Sequence, residues 1–391
     1  MTLLHLILAW LFWLCFAGVA YSYLVYPIIL ILSVRLFGRK EHPDFLRDDA
    51  LPAVTLLLAA HNEEPVIEGR IRNALAMDYP PDKLQILIAS DASTDRTNDI
   101  VRSFADKGAR LLDYQNRSGK TAMLNSAFGE VRTPMVMLSD ANTFTEPNAA
   151  RCLMRWFVNP RIGVVSGRLI LTDPVSGKNV DSMYWRYETF LKKRESQLGA
   201  LLGSNGAIYA IRTELFRPIP GNTIVDDFVI PLAAKLRSGC DVIYDPDAVA
   251  NEESAPDVKA EFKRRSRIGA GGWQAIGQLW RLLNPANGWI AFTFFSHKVL
   301  RWLCPFFLIG MLVANVPLAF DSVGYRLLLA GQLLGYALAV AGAFVPTSVP
   351  VSRFFRLANM FVAMNAALLV GFFRWLLSSQ SGIWSRTQRM S

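Results

Sequence analysis

Four stretches of the chain are apolar and long enough to be read before anything else. From Leu3 to Phe37 the sequence runs LLHLILAWLFWLCFAGVAYSYLVYPIILILSVRLF, with His5 as its only His, Lys, Arg, Asp or Glu before Arg35. A bilayer core takes about 20 helical residues, so this pattern predicts one long or tilted pass, or a pass continued as an interfacial helix. A cleavable signal peptide needs a basic start and a short apolar core. This stretch has no early Lys or Arg and is too long and aromatic. Val299 to Phe320, Leu327 to Val345 and Leu357 to Leu377 are each long enough to span, and Pro305 and Pro317 are tolerable in membrane helices.

Between them, about residues 48 to 285, charges, Gly, Pro, Asn and Asp punctuate short apolar runs. Val54 to Ala60 (VTLLLAA), Leu84 to Ala89 (LQILIA) and Met135 to Leu138 (MVML) read as buried strands, each ending in a polar cluster. Helical patterns follow at Glu64 to Ala76, Asp95 to Ala105 and Thr121 to Phe128. Strand, polar turn and helix, repeated three times, predict an α/β domain with a mostly parallel sheet. In open sheets of this kind ligands sit beyond the carboxyl ends of the strands. The expected organisation is therefore a membrane segment over 1–37, a soluble domain over 48–285 and about three membrane segments over 296–378.

Composition agrees with that division. Of 391 residues 52% are hydrophobic and 19% charged, below the roughly 25% charged of a soluble chain. Disorder, collagen and a disulfide scaffold are excluded; Cys15, Cys152, Cys240 and Cys304 show no C-x-x-C spacing. The formal charge of +9 invites a nucleic-acid reading, but Arg and Lys cluster at the edges of apolar runs (Arg35, Arg39, Lys40, Lys298, Arg301, Arg353, Arg356, Arg386, Arg389). Positive-inside anchoring and anionic headgroups use them there, so membrane lipids are the expected partners and nucleic acid is not. The basic flanks RLFGRK and SHKVLRW place the soluble domain on the cytoplasmic side. An odd number of later crossings would put the tail SRTQRMS outside, which its arginines oppose, so one of the four segments is expected to be re-entrant or interfacial.

The polar clusters carry the candidate chemistry. The first strand runs into Ala59-Ala60-His61-Asn62-Glu63-Glu64, the second into Ser90-Asp91-Ala92-Ser93-Thr94-Asp95, the third into Ser139-Asp140-Ala141-Asn142-Thr143. Alone, each reads as turn and cap chemistry, with Ser93 or Thr94 as a helix N-cap. Together, with Asp140 and Asn142 spaced to point the same way, they suit a hard divalent cation shared with substrate phosphates. Ser118-Gly119-Lys120-Thr121 opens a helix where a lysine can meet a diphosphate. The upstream glycine of a P-loop is missing (the position is Tyr114), and no G-x-G-x-x-G follows the first strand. Both observations disfavour nucleotide hydrolases and dinucleotide-binding dehydrogenases.

In this order and spacing AAHNEE, SDASTDRT, SGKTAMLN and LSDANT resemble the membrane-embedded family 2 glycosyltransferases of GT-A fold, the group containing cellulose, hyaluronan and poly-N-acetylglucosamine synthases. The resemblance continues through Gly203-Ser204-Asn205-Gly206, Val225-Asp226-Asp227-Phe228 and Arg264-Arg265-Ser266-Arg267-Ile268, over about residues 50 to 280. It implies an α/β GT-A domain flanked by transmembrane helices, His61 and Glu63 beside the nucleoside base, and Asp91 on the uracil or ribose side. It further implies Lys120 on the diphosphate, Asp140 and Asn142 as ligands of Mg²⁺ or Mn²⁺, and the loop Gly203, Ser204, Asn205, Gly206 along the acceptor. Asp227 would be the catalytic base, and Arg264 and Arg267 would hold the departing diphosphate. Asp226 and Asp227, being adjacent, would point about 100° apart at a helix start; both could equally favour a helix N-terminus, and Arg264 to Arg267 could equally form a headgroup-binding patch.

Three departures from the family pattern narrow the reading. D-x-D has become Asp140-Ala141-Asn142. The Gln and Trp of Q-x-x-R-W have become Arg264 and Ile268, with Trp273 several residues on. The membrane part is small for a polymer channel. The expected activity is inverting transfer from a nucleotide sugar, UDP-linked, to a growing glycan or a lipid-linked acceptor in exopolysaccharide or cell-envelope synthesis. It would run at a multi-pass plasma membrane, with export or assembly proteins as partners. A transporter with a soluble insert and a catalytically impaired glycosyltransferase-like scaffold are the competing classes. The first lacks intramembrane charge to mark a pathway, and the second predicts loss of acids that are all present.

Overall fold

The fold is seen in a computed structural model, which describes residues 3–39, 42–173, 183–254, 258–342, 344 and 352–379. The chain forms two units, an α/β unit and a helical one. Contiguous apolar runs become central strands: β1 (Val54–Ala60) is buried along its whole length, as expected of a strand covered on both faces. With β2 (Leu84–Asp91), β3 (Ala109–Tyr114), β4 (Met135–Asp140), β5 (Phe144–Thr145), β6 (Ile162–Thr172), β7 (Tyr209–Arg212) and β8 (Asp241–Glu253) it makes an eight-stranded sheet. The order is β3-β2-β1-β4-β7-β6-β8-β5.

The half holding β3, β2, β1 and β4 is parallel, and β7 enters antiparallel to both β4 and β6. Register decides what matters for chemistry: Ala60 pairs with Ser90 and Ala59 with Asp140. The carboxyl ends of β1, β2 and β4 therefore lie on one edge. The helices of this half are α3 (Glu64–Leu75), α4 (Thr97–Arg102) and α5 (Lys120–Phe128); α6 (Ala149–Met154) packs on the other half, against β8 and β6, and is followed by α7 (Met183–Gln197) and α8 (Asp226–Ser238). Ile67, Ile71 and Ala74 of α3 pack on Leu56, Leu58 and Ile88 in one buried core. The expected strands and first three helices are present with ends shifted by up to three residues. The start of α4 differs from expectation: its N-cap is Arg96, with no side-chain cap of its own. Asp95, rather than Ser93 or Thr94, accepts from Thr97 N at 3.0 Å, and its other oxygen accepts from Glu64 N at 3.1 Å. Ser93 instead accepts from Asn62 N at 3.1 Å, because a hydroxyl there bridges the first two turns.

The helical unit holds α1 (Leu3–Ala20) and a π-helical turn at Tyr21–Val25 that leads into α2 (Tyr26–Phe37). It also holds α9 (Val258–Leu279) as far as Ile276 and, after the short α10 (Trp289–Thr293) of the α/β unit, a second π turn at Phe294–Val299 that opens α11 (Leu300–Asp321), followed by α12 (Val323–Ala341) and α13 (Ser352–Leu376). Four helical stretches are long and apolar enough to cross a membrane: Leu3–Phe37, Trp289–Asp321, Val323–Ala341 and Phe354–Leu376. Small residues let α1 and α11 approach closely, as in membrane helix pairs. A Cβ on Gly18 would lie 2.6 Å from the Phe307 ring, and one on Gly310 would lie 2.8 Å from Cys15 Sγ. The end of the expected segment Leu327 to Val345 and the tail arginines Arg386 and Arg389 lie outside the described residues.

Candidate active site

Each strand-end turn is held by side chains of the next. Asn62 and Ala92 both take positive φ, 54° each, a conformation that a non-glycine residue adopts at some cost and that clusters at functional sites. Asn62 Oδ1 repays this by accepting from Thr94 N at 2.7 Å. His61 is buried with Nδ1 2.7 Å from the Asp91 carbonyl, and Glu63 N donates to Thr97 Oγ1 at 2.8 Å. Asp91 is wholly buried. Its Oδ1 accepts from Ser118 N at 2.8 Å and Ser118 Oγ at 3.2 Å, and its Oδ2 accepts from Gly119 N at 2.9 Å. The carboxylate therefore faces the Ser118-Gly119 loop and fixes where α5 begins. Gly119, at φ +90°, makes the bend that a side chain would oppose.

Lys120 is the first residue of α5, and its ammonium is the hub of the site. Nζ lies 2.8 Å from Asp140 Oδ1 and 3.6 Å from Asp226 Oδ2. Burial alone would lower its pKa, but Asp140, Asp226 and Asp227 outweigh burial and raise it, so the ammonium stays charged. The rest of the SGKTAMLN motif is structural. Thr121 Oγ1 donates to the Thr223 carbonyl at 2.8 Å, and Asn125 bonds the Ile219 carbonyl at 2.7 Å and Ile219 N at 3.2 Å. These bonds tie α5 to the loop that delivers Asp226 and Asp227 at the start of α8.

The two adjacent acids diverge, as their helical spacing requires. Asp226 is buried toward Lys120, whereas Asp227 Oδ2 accepts from Gly206 N at 2.9 Å. The Asp227 carbonyl also accepts from Ser204 N at 2.9 Å and Ser204 Oγ at 2.8 Å. Gly203 has φ +79°, and a Cβ there would lie 3.0 Å from Phe228 Cα. The loop Gly203 to Gly206 is thus wrapped on the first turn of α8, and Asn205 N is held by Ser166 Oγ at 3.0 Å. Burial raises the Asp227 pKa to about 6, with Asp226 and Asp140 adding to it and Lys120 and the Gly206 N–H opposing. A carboxyl poised near neutrality suits general-base chemistry.

Asp140, Lys120, Asp226, Asp227 and the 203–206 loop are therefore together, with His61, Glu63 and Asp91 at the neighbouring turns of the same sheet edge. Arg264 and Arg267 lie on the part of α9 that belongs to the helical unit; Arg264 Nε pairs with Glu261 at 3.0 Å. Two further residues escaped the sequence reading. Tyr209 of β7 has a buried hydroxyl with no hydrogen-bond partner among the described residues, and burial with Asp226, Asp227 and Asp140 nearby raises its pKa well above the usual phenol value. Arg70 of α3 is wholly buried; Nη1 donates to Asn73 Oδ1 at 3.0 Å, while Nε and Nη2 have no partner among the described residues. Burial lowers its pKa to about 10, with Asp140 opposing. Nothing in an amphipathic pattern distinguishes such an arginine from a solvated one.

The donor set at the third turn suits one kind of metal site. Among the described residues no three His, Cys, Asp or Glu side chains gather as an all-protein cage. One carboxylate (Asp140) with one amide (Asn142) leaves most positions to water and substrate oxygens, which is how Mg²⁺ is usually bound at phosphate sites. The residues fit an ion shared with a diphosphate.

Comparison with known proteins bears on the domain and its fold. Residues 55–217 match the model of glycosyl transferase family 2. The chain is 24% identical over 305 residues to a beta-monoglucosyldiacylglycerol synthase of Synechocystis sp., covering 73% of this chain and 63% of that protein. It is 25% identical over 247 residues to the poly-beta-1,6-N-acetyl-D-glucosamine synthase of Staphylococcus aureus, covering 61% and 59%. The aligned stretch is thus less than two thirds of either relative's length. Among solved structures, a mannosyltransferase from Pyrobaculum calidifontis in complex with GDP-Man and Mn²⁺ superposes with a TM-score of 0.70 at 23% identity, covering 97% of this chain and all of that one, which shows the fold. With its strand-end acids, its mostly parallel sheet and its flanking apolar helices, the chain carries over residues 55–217 a glycosyl transferase family 2 domain in a GT-A-like fold, and it is similar to glycosyltransferases of that family.

Proposed function

We propose that the protein transfers a sugar, with inversion, from a UDP-linked nucleotide sugar to a growing glycan or lipid-linked acceptor, at a plasma membrane with its α/β unit in the cytoplasm. The observation that carries this reading is the single ammonium of Lys120 in contact with both Asp140 and Asp226, beside Asp227 and the 203–206 loop. Inverting transfer needs a base for the acceptor and positive charge for the leaving group at one place. Asp227 takes the proton from the acceptor hydroxyl as that oxygen attacks the anomeric carbon, and the bond from that carbon to the diphosphate oxygen breaks. Lys120 follows the departing diphosphate, and Arg264 and Arg267 assist it. When bound on Asp140 and Asn142, Mg²⁺ or Mn²⁺ supplies Lewis-acid stabilisation of that diphosphate.

In this proposal the base and ribose of the donor lie along the first two turns, bordered by His61 and Glu63. Asp91 acts through the Ser118-Gly119 loop that it anchors. The acceptor is held against Gly203 to Gly206. Addition of one or few sugars is favoured over long-chain synthesis. Trp273, the nearest tryptophan to the altered Q-x-x-R-W pattern, is packed among Phe306, Phe372 and Trp375 with ring centroids at 6.1, 5.1 and 6.1 Å.

Purified protein with Mg²⁺ or Mn²⁺, given a panel of nucleotide sugars, is expected to release nucleoside diphosphate, and Asp227→Asn to abolish transfer while sparing nucleotide binding. Undiminished turnover by Asp227→Asn would remove the base assignment. No release from any donor by the unaltered protein would favour a binding role.

A further inference from the structure

Depth in the helical unit can be read along α11, from Leu300, at the end where the chain arrives from the α/β unit, to Asp321 at the far end. α1 runs antiparallel to it. His5 pairs with Asp321, Phe12 packs on Ala314 and Leu318, and the Arg301 guanidinium lies 5.3 Å from the Tyr23 ring. α12 turns back after Ser322. Gln332 Nε2 donates to the Leu308 carbonyl at 3.0 Å, so with equal rise in both helices Ala339 returns to about the level of residue 301.

α13 does not leave that level. Asn359 Nδ2 donates to the Ala339 carbonyl at 2.8 Å, and Asn365 Nδ2 lies 3.3 Å from Tyr23 Oη. The Phe361 ring is 5.1 Å from the Tyr23 ring, and the Phe372 ring is 4.9 Å from the Phe306 ring. From Asn359 to Phe372 is about 20 Å of helix at 1.5 Å per residue. Its contacts move along α11 only from about residue 301 to residue 306, roughly 8 Å of depth. A crossing helix would spend nearly its whole length in depth.

We infer that only the first three apolar segments cross the bilayer, and that α13 lies along the membrane surface in the headgroup layer of the leaflet at which the chain enters α11. The end of α13 at Leu376 then falls on the side from which the chain enters α11. The outer face of α13 suits that layer: Phe354, Leu357, Phe373, Trp375 and Leu376 are exposed beside Arg356, the mixture of aromatic and basic residues found on interfacial helices. Charge agrees. Positions 1–29, 258–276 and 294–380 hold eleven Lys and Arg against two acids, the whole +9 of the chain, leaving thirty against thirty elsewhere. A Cβ on Gly371 would lie 2.7 Å from Ala270 N, and Arg374 Nη1 donates to Ser266 Oγ at 3.0 Å. The 266–270 stretch of α9 is therefore held at the same depth, next to Arg264, Arg265 and Arg267.

The inference concerns topology and is independent of the proposed reaction. An epitope tag appended after Ser391 of the full chain, in sealed vesicles that expose the α/β unit, is expected to be lost to added protease together with that unit. A tag that survives while the α/β unit is cleaved overturns the inference. As a second measurement, with the four buried native cysteines replaced by alanine, Ser379→Cys is expected to react with an impermeant maleimide only from the face of the α/β unit and Ser322→Cys only from the other. Labelling of both from one face overturns it as well.

Discussion

The raised pKa of Asp227 makes a prediction about stability that is separate from catalysis. In an unfolded chain this carboxyl titrates near 3.8, and in the fold near 6. A carboxyl whose pKa rises on folding binds its proton more tightly in the native state. It therefore costs no stability below about pH 4 and becomes progressively destabilising as pH climbs through 6. A shift of roughly two units corresponds to about 3 kcal/mol of destabilisation at pH 7 and above, an upper value because Asp226 and Asp227 share the titration. Asparagine keeps an oxygen for Gly206 N while removing the charge. Asp227→Asn is thus expected to unfold several degrees higher than the unaltered protein at pH 8, with the difference closing toward pH 4. Thermal unfolding of the two detergent-solubilised proteins across that range checks it, in parallel with nucleoside diphosphate release. The expected pairing is a more stable protein that does not transfer, the usual trade at a strained site. A variant that unfolds at or below the unaltered protein at pH 8, or whose difference does not change with pH, refutes the electrostatic account.

Four further outcomes follow from the same geometry. Lys120→Met removes the cation that opposes the rise of the Asp227 pKa, so the acid limb of the pH–rate profile should move up by about one unit or more, and donor affinity in calorimetry should fall at least tenfold. Asp91→Ala strips three hydrogen bonds from the Ser118-Gly119 loop and should cost about 3 kcal/mol, read as a lower midpoint in denaturant. Arg70→Met replaces a buried guanidinium with two unpartnered nitrogens, so stability should change by less than about 1 kcal/mol or rise, while Mn²⁺ binding without nucleotide, followed by electron paramagnetic resonance, tightens. Asn142→Asp restores a second charged oxygen at the third turn, and the same assay should show Mn²⁺ affinity about tenfold higher.

What could be read from the sequence was whatever depends on local pattern. Unbroken apolar runs announced β1 and the candidate membrane helices, because burial on all sides leaves no polar position to interrupt them. The polar turns after β1, β2 and β4 marked a shared edge, because parallel strands joined by helices must present their carboxyl ends together. Spacing and position at a helix start already suited Asp140 to a cation and Lys120 to a diphosphate, whereas only the family resemblance singled out Asp227 from Asp226. The tertiary structure alone decided what depends on residues far apart in the chain: that Asp91 turns its carboxylate under the Ser118-Gly119 loop, that Thr121 and Asn125 carry the loop before Asp226, and that Tyr209 and Arg70 are buried around the acids. Hydropathy likewise counted four apolar segments alike, since it measures how apolar a helix is and carries no information on its direction. The contacts of Asn359, Asn365 and Phe372 with other helices show α13 running across α11 rather than beside it. Contacts between distant positions leave no trace in a local pattern, and they set the charges, the burial and the orientation on which the chemistry rests.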